Sequence, residues 1–117
     1  MKEFIFDEYG SCINPNRIEG GNKNFWVEIM TAEHEGKWYC GHQYWTRGQR
    51  YEYEVYLNTN AYKTEIEAIC KEAGHLFHYF QSENQNTRSR LEVPQNIFTT
   101  LKKIQADAKN RNQLSLF

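Results

Sequence analysis

The chain has 117 residues and a formal net charge of −1, and 39% of its residues are hydrophobic and 15% aromatic. This length predicts a single domain, and the aromatic content favours a folded chain over a disordered one, because large rings bury much area per residue. No apolar run reaches the length of a membrane span, and the first residues are too acidic for a signal peptide. We therefore expect a cytoplasmic protein that does not contact a membrane.

The first half of the sequence is typical of an antiparallel sheet. A short candidate strand over residues 3–6 precedes a long polar loop, rich in glycine and asparagine, that runs to residue 22. Side chains then alternate with a period of two over residues 25–30, 37–45 and 51–57, which is the pattern of strands. Turns are expected at Gly36 and Gly48, and these short connections predict a meander of three to four strands.

The period changes near residue 64, from which two helices are predicted. Thr64 and Glu67 form a capping box, in which each side chain satisfies a backbone donor at the start of a helix. An apolar stripe follows at helical spacing, wide enough to cover a sheet face: Ile66, Ile69, Cys70, Ala73, Leu76, Phe77 and Phe80. After a polar linker, Pro94 suits the first turn of a second helix. Its expected buried side comprises Ile97, Phe98, Leu101, Ile104 and Ala108.

The expected fold class is α+β: an antiparallel meander packed against a long amphipathic helix, followed by a second, C-terminal helix. Residues 1–108 are predicted to form the single domain. The apolar periodicity stops after Ala108. Residues 109–117 are therefore predicted to be a flexible tail, in which four polar residues tether the final five.

The final five residues form a candidate docking peptide: Gln113, Leu114, Ser115, Leu116 and Phe117. Its three large apolar side chains stand outside any periodic pattern, and each would contribute about 1.5–3 kcal/mol in a partner's pocket before ordering costs. The amide of Gln113 can fix the register of binding at the lip of such a pocket. A short extended segment with spaced anchors is a recurrent recognition mode.

This peptide resembles the bacterial sliding-clamp-binding motif, whose consensus is Gln-Leu-(Ser/Asp)-Leu-Phe, and it matches at all five positions. The resemblance implies that Gln113 hydrogen-bonds at the edge of the clamp's hydrophobic groove. It also implies that Leu114 occupies one subsite, that Leu116 and Phe117 fill the deeper one, and that Ser115 is a tolerant spacer. Because the resemblance covers five residues, it implies nothing about the fold of the rest of the chain.

The cysteine, histidine and acidic residues do not indicate a catalytic or metal site. Cys40 with His42, and Cys70 with His75, lack the paired spacing of a zinc site. Cys40 and His42 share a strand face, and Cys70 lies on the helical stripe, so core packing accounts for them and a thiol buried there is inert. We therefore expect no enzyme activity, no metal and no cofactor.

An alternative function rests on the aromatic residues of the second sheet face. Aromatic rings beside cations stack single-stranded bases, and the residues that would form such a nucleic-acid site are Trp26, Tyr39, Trp45, Tyr56, Arg47, Arg50, Arg88 and Arg90. From Thr87 onward the sequence has six basic and two acidic residues, a net charge of +4, and the first 86 residues therefore carry a net charge of −5. Phosphate contacts dominate such binding, and a net negative segment repels phosphate as much as its cations attract it. The competing interpretation is that this face is covered by the N-terminal loop or by a protein partner.

The main hypothesis is a small non-enzymatic protein that docks on the bacterial DNA sliding clamp through residues 113–117. Its small size and host-style motif suggest a bacteriophage or mobile-element modulator of replication. Two alternatives stay open. The first is a single-stranded nucleic-acid-binding module, and the second is an inhibitor of a host defence nuclease, of the anti-CRISPR or anti-restriction type, acting through protein–protein contact.

Overall fold

The computed structural model describes residues 2–46, 48–85 and 96–115, and for residues 84–85 and 111–115 it describes the backbone alone. Four strands precede two helices. They are β1 (Asn16–Gly21), β2 (Phe25–His34), β3 (Lys37–Thr46), β4 (Gln49–Tyr53), α1 (Glu65–Gln85) and α2 (Asn96–Ser115). Within these ranges neither helix is long and apolar enough to cross a membrane.

The sheet is an antiparallel meander with the strands in chain order, β1-β2-β3-β4. Glu35 and Gly36 connect β2 to β3, and both have a positive φ, of 52° and 79°. This backbone conformation twists in the same sense as the flanking strands, which is why two-residue hairpin turns favour it. The α+β class, the meander, the long helix and the second helix predicted from the sequence are confirmed.

The sheet differs from the sequence prediction mainly at its two edges, although β2 also runs to His34 rather than to residue 30. Residues 3–6 form no strand and contribute only an isolated bridge between Phe6 and Cys12. The first strand is instead β1, inside the predicted loop. The sequence does not indicate this strand, because Ile18 is its single large apolar residue and apolar and polar side chains do not alternate along it. At the other end of the sheet β4 stops at Tyr53. Val55 packs in a separate apolar cluster and does not continue the pairing of β4 with β3.

The main core lies between the sheet and the two helices. Phe25, Val27 and Ile29 of β2 point into it and are fully buried. On the helix side of this core, α1 supplies Phe80, which packs edge-to-face on Phe25 with ring centroids 5.5 Å apart. The predicted buried side of α2 is confirmed, since Ile97, Leu101, Ile104 and Ala108 are all buried and Phe98 packs against them.

A second, smaller core forms on the opposite sheet face. There the N-terminal segment folds over Met30 and Ala32 of β2 and contributes Phe4, Phe6 and Cys12 to their packing. Backbone hydrogen bonds fix this segment, including one of 2.9 Å from the Cys12 amide to the Val55 carbonyl. As a result β2 is buried on both faces along most of its length.

The helices are placed unevenly over the sheet. The start of α1 is capped as predicted, with the Thr64 hydroxyl accepting a 3.1 Å hydrogen bond from the Glu67 amide. Helix α1 then crosses β2 and β3, while α2 covers β1 and β2. In the described part of the chain neither helix packs its backbone against β4. The helix-facing side of β4 is therefore left without a helical cover.

A matched pair of glycine substitutions tests this packing. A Cβ on Gly41 would lie 2.8 Å from the Glu54 carbonyl carbon and closer still to the Tyr53 carbonyl oxygen, so Gly41→Ala must push two backbones apart. A Cβ on Gly74, inside α1, would meet only the Gln105 side chain at 3.8 Å. We expect Gly41→Ala to lower the free energy of unfolding by about 3 kcal/mol and Gly74→Ala to raise it by about 0.5–1 kcal/mol. Urea denaturation measures both, and equal effects of the two substitutions would contradict the packing described.

Candidate functional site

The predicted docking peptide lies at the end of α2. The backbone of Gln113, Leu114 and Ser115 belongs to this helix, whereas Leu116 and Phe117 lie outside the described residues. The helix thus runs through most of the segment for which the sequence predicts a flexible tail. Loss of apolar periodicity marks the end of a buried stripe, but the backbone hydrogen bonds of a helix can continue without one. Lys109 and Asn110 are exposed accordingly.

Of the residues predicted to bind nucleic acid, three come together. Trp26 and Trp45 face each other across β2 and β3 with ring centroids 4.7 Å apart, and the guanidinium of Arg50 lies 5.9 Å from the Trp45 centroid. Tyr39 lies near the start of β3, away from Trp45, and packs on the second core. Tyr56 follows β4 and pairs with Ser11. Arg47, Arg88 and Arg90 lie outside the described residues.

The cation in this group already has protein partners. Arg50 donates hydrogen bonds of 2.7 and 3.0 Å to the side-chain oxygen Oε1 of Gln43 and one of 2.6 Å to the Glu52 carboxylate. Gln43 in turn donates to the buried carboxylate of Glu28, which is also paired with Arg17. Both described arginines of this face, Arg17 and Arg50, are thus paired with carboxylates of the protein itself. A phosphate that engaged Arg50 would have to compete with these carboxylate and amide oxygens.

A second candidate site lies on the helix-covered face, where α1 meets β3. Glu72 of α1 accepts a hydrogen bond of 3.0 Å from the Cys40 thiol at one carboxylate oxygen, and His42 Nδ1 lies 3.1 Å from the other. The side chains of Glu72 and His42 are only 15% and 12% exposed. The sequence placed Cys40 and His42 together on one strand face, but it did not bring Glu72 to them.

This contact acts on the ionisation of the Cys40 thiol. Burial, the charge of Glu72 and the hydrogen bond to Glu72 all raise the pKa of the Cys40 thiol far above its ordinary value. The thiolate, which is the reactive form, is thereby disfavoured. For Glu72 itself burial raises the pKa, but the hydrogen bonds from His42 and Cys40 and the electrostatic influence of His42 and His75 together outweigh it, and the pKa is lowered overall. Glu72 is therefore a carboxylate at neutral pH.

Two adjoining cavities open beside this cluster, with volumes of about 270 and 320 Å³. Both are lined by His42, Tyr53, Glu72 and His75, so they form one continuous cleft between α1 and β4. We refer to it as the α1–β4 cleft. Its existence follows from the uneven helix placement, because β4 extends beyond the edge of α1.

Aromatic rings line the α1–β4 cleft in a ladder across the sheet. The rings of Tyr51 and Tyr44 are stacked with centroids 4.9 Å apart, and those of Tyr44 and His42 are stacked at 6.0 Å. Tyr53 lies 4.8 Å from His42 on the other side. Tyr79 of α1 contributes to the opposite wall. The described histidine, cysteine and acidic side chains form no group of three or more that could hold a metal ion.

The sequence contained a weak signal for this cleft. Tyr51 and Tyr53 stand two residues apart on a strand, and Glu72 precedes Ala73 at the margin of the apolar stripe of α1. A carboxylate there is normally on the solvated flank of a helix. Only the pairing of α1 with β3 places it above Cys40 and His42.

Comparisons of the chain with protein-family models, with curated proteins and with solved structures find no match.

The inert environment of Cys40 predicts a ranking of thiol reactivity. Cys70 is partly exposed, whereas Cys40 is buried with a raised pKa. We expect iodoacetamide at pH 8 to alkylate Cys70 at least about tenfold faster than Cys40 in the native protein. Peptide mass mapping over a time course measures the two rates. Faster alkylation of Cys40 would contradict the hydrogen bond to Glu72.

The lowered pKa of Glu72 predicts a loss of stability in acid. Because the folded state favours the carboxylate, this contribution is complete above the ordinary value of 4.5 and disappears as the pH falls through the lower folded-state pKa. Glu72→Gln should lower the free energy of unfolding by about 1–2 kcal/mol at pH 7. The difference from the unmodified protein should shrink as the pH falls below the ordinary value of 4.5.

Urea titrations at several pH values measure this difference. Glu19→Gln, at an exposed position on β1, is the matched control and should leave the curve unchanged. A difference between the Glu72 variant and the unmodified protein that does not vary with pH would contradict the predicted linkage.

Proposed function

We propose that this protein docks on the bacterial DNA sliding clamp through residues 113–117. The observation that carries the proposal is the match of Gln113-Leu114-Ser115-Leu116-Phe117 to the clamp-binding consensus at all five positions. Four fixed positions match by chance on the order of once in tens of thousands of sites. Docking would bring the folded domain to replicating DNA or compete with other clamp partners for the groove.

The spacing of apolar residues along α2 supports this role. Ile97, Leu101, Ile104 and Ala108 form its buried stripe. Continuing that spacing by three or four residues reaches Arg111 or Asn112, which are polar in the sequence. The stripe that holds α2 on the sheet therefore has no apolar continuation into the peptide.

Docking in an extended conformation requires the end of α2 to unwind. The last four carbonyl groups of a helix have no intrahelical partner, and helix ends fray readily. The buried part of the helix, from Ile97 to Ala108, can remain in place while the end opens. The ordering cost falls on a few residues, and burial of the leucine and phenylalanine anchors offsets it.

The nucleic-acid-binding alternative has weaker support. Trp26, Trp45 and Arg50 do form an aromatic and cationic group, but Arg50 is bound by Gln43 and Glu52, and the buried Glu28 lies beside it. A phosphate backbone would meet this acidic network. Inhibition of a defence nuclease remains a second alternative, in which the partner would be recognised by the acidic domain.

Isothermal titration calorimetry with a purified bacterial clamp tests the proposal. We expect the unmodified chain to bind and the double variant Leu116→Ala, Phe117→Ala to bind at least about 100-fold more weakly, because two buried anchors are lost. Ser115→Ala is the matched control and should retain full affinity, since this position is a spacer.

Gln113→Ala should lower the affinity for the clamp about tenfold, as expected for the loss of a hydrogen bond at the groove edge. Equal binding by the unmodified chain and the double variant would overturn the proposal. Absence of binding by the unmodified chain would overturn it as well.

A further inference from the structure

The α1–β4 cleft is a concave surface that the docking peptide does not use. Its floor is formed by Glu72 and His42, and its walls by tyrosines from β4 and α1. The volumes of about 270 and 320 Å³ are at the lower end of the range for small-ligand sites. A cleft of this kind can hold a group the size of one side chain.

Large aromatic side chains are exposed at its mouth. The side chains of Tyr53 and Tyr79 are 63% and 46% exposed, although large aromatic rings are usually buried to a greater extent. The face of an aromatic ring carries negative electrostatic potential, so it attracts cations as well as flat rings. Several tyrosines around one cleft are therefore suited to a cation that can lie flat.

The charges of the cleft favour a cation over an anion. Glu72 lines both cavities, and Glu54, whose carboxylate accepts a hydrogen bond from Ser11, lines one of them. Among the described residues that line the two cavities there is no lysine or arginine. The histidines that line the cleft are His42, which is already paired with Glu72, and His75. A planar cation would add a further partner to the Glu72 carboxylate, whereas an anion would lie beside this carboxylate and the negative faces of the tyrosine rings.

The carboxylate of Glu72 also has room for further donors. An ionised carboxylate offers about four acceptor positions, and Cys40 and His42 each occupy one. A guanidinium group presents N–H donors in one plane, which matches the remaining positions while its face stacks on a tyrosine ring. An ammonium group has the charge but not the flat face.

We propose that the α1–β4 cleft binds a planar organic cation of the guanidinium class, held between the tyrosine rings of β4 and α1 and the Glu72 carboxylate. The cation is either a free small molecule or an arginine side chain of a partner protein. The described residues that line the site belong to β3, β4, the segment after β4 and α1, so the proposal does not rest on clamp docking.

Nuclear magnetic resonance titration of the full chain tests the site with two cationic probes, methylguanidinium and Nα-acetyl-arginine N-methylamide. Their neutral counterparts of the same shape are methylurea and Nα-acetyl-citrulline N-methylamide. We expect each cation to shift the signals of His42 and Tyr53, and each neutral counterpart to bind about tenfold or more weakly. Tighter binding of the arginine probe than of methylguanidinium assigns the cation to a partner's side chain, whereas the reverse order assigns it to a free molecule.

Two variants separate the rings from the charge. Tyr53→Leu keeps an apolar group at an exposed position and should weaken binding of the arginine probe about threefold to tenfold. Glu72→Gln should weaken it about tenfold or more. The controls are Tyr9→Leu in the N-terminal segment and Glu19→Gln on β1, which should leave the affinity unchanged.

Because Tyr53 is exposed, its variant tests the site even if Glu72→Gln unfolds the protein. Equal binding of the arginine and citrulline probes would overturn the proposal. So would the absence of shifts at His42 and Tyr53, or equal affinities of the Tyr53 and Tyr9 variants.

Discussion

Strand β2 is buried on both faces, and the register of this strand determines the rest of the structure. Phe25, Val27 and Ile29 enter the main core, while Met30 and Ala32 enter the second core beneath the N-terminal segment. A shift of one residue would exchange the two sets and open both cores, so the register is strongly specified. The two-residue turn at Glu35 and Gly36 then places β3 opposite β2. Every surface feature of the protein is positioned from this pair of strands.

Two carboxylates attach α1 to the sheet. Glu65 accepts hydrogen bonds of 2.8 Å from Asn16 and 2.7 Å from Thr31, which joins the start of the helix to β1 and β2. Two helical turns later, Glu72 is bound by Cys40 and His42 of β3. The apolar stripe of α1 lies beside these contacts. The helix is thereby held across β2 and β3, and β4 is left to form one wall of the α1–β4 cleft.

The two proposed surfaces use different parts of the fold for physical reasons. The docking peptide begins five residues after Ala108, the last residue of α2 that is buried among the described side chains. The cleft depends on the core, because the ionised state and position of Glu72 depend on β3. Peptide docking would therefore tolerate substitutions in the domain that destroy the cleft. The Trp26, Trp45 and Arg50 group lies on the opposite sheet face and is already joined to Gln43 and Glu52.

The sequence by itself determined the local elements, and it carries the match to the clamp-binding consensus. The stripe from Ile66 to Phe80, the cap at Thr64 and the alternation in β2 and β3 depend on near neighbours along the chain, which periodicity reports directly. Tertiary structure alone decided the remaining features. Ile18 gives β1 too little apolar pattern to be recognised, so this strand exists because β2 offers it an edge to pair with. Glu72 resembles a solvated helix flank until α1 lies on β3, because contact between residues 32 and 30 positions apart depends on packing and not on spacing.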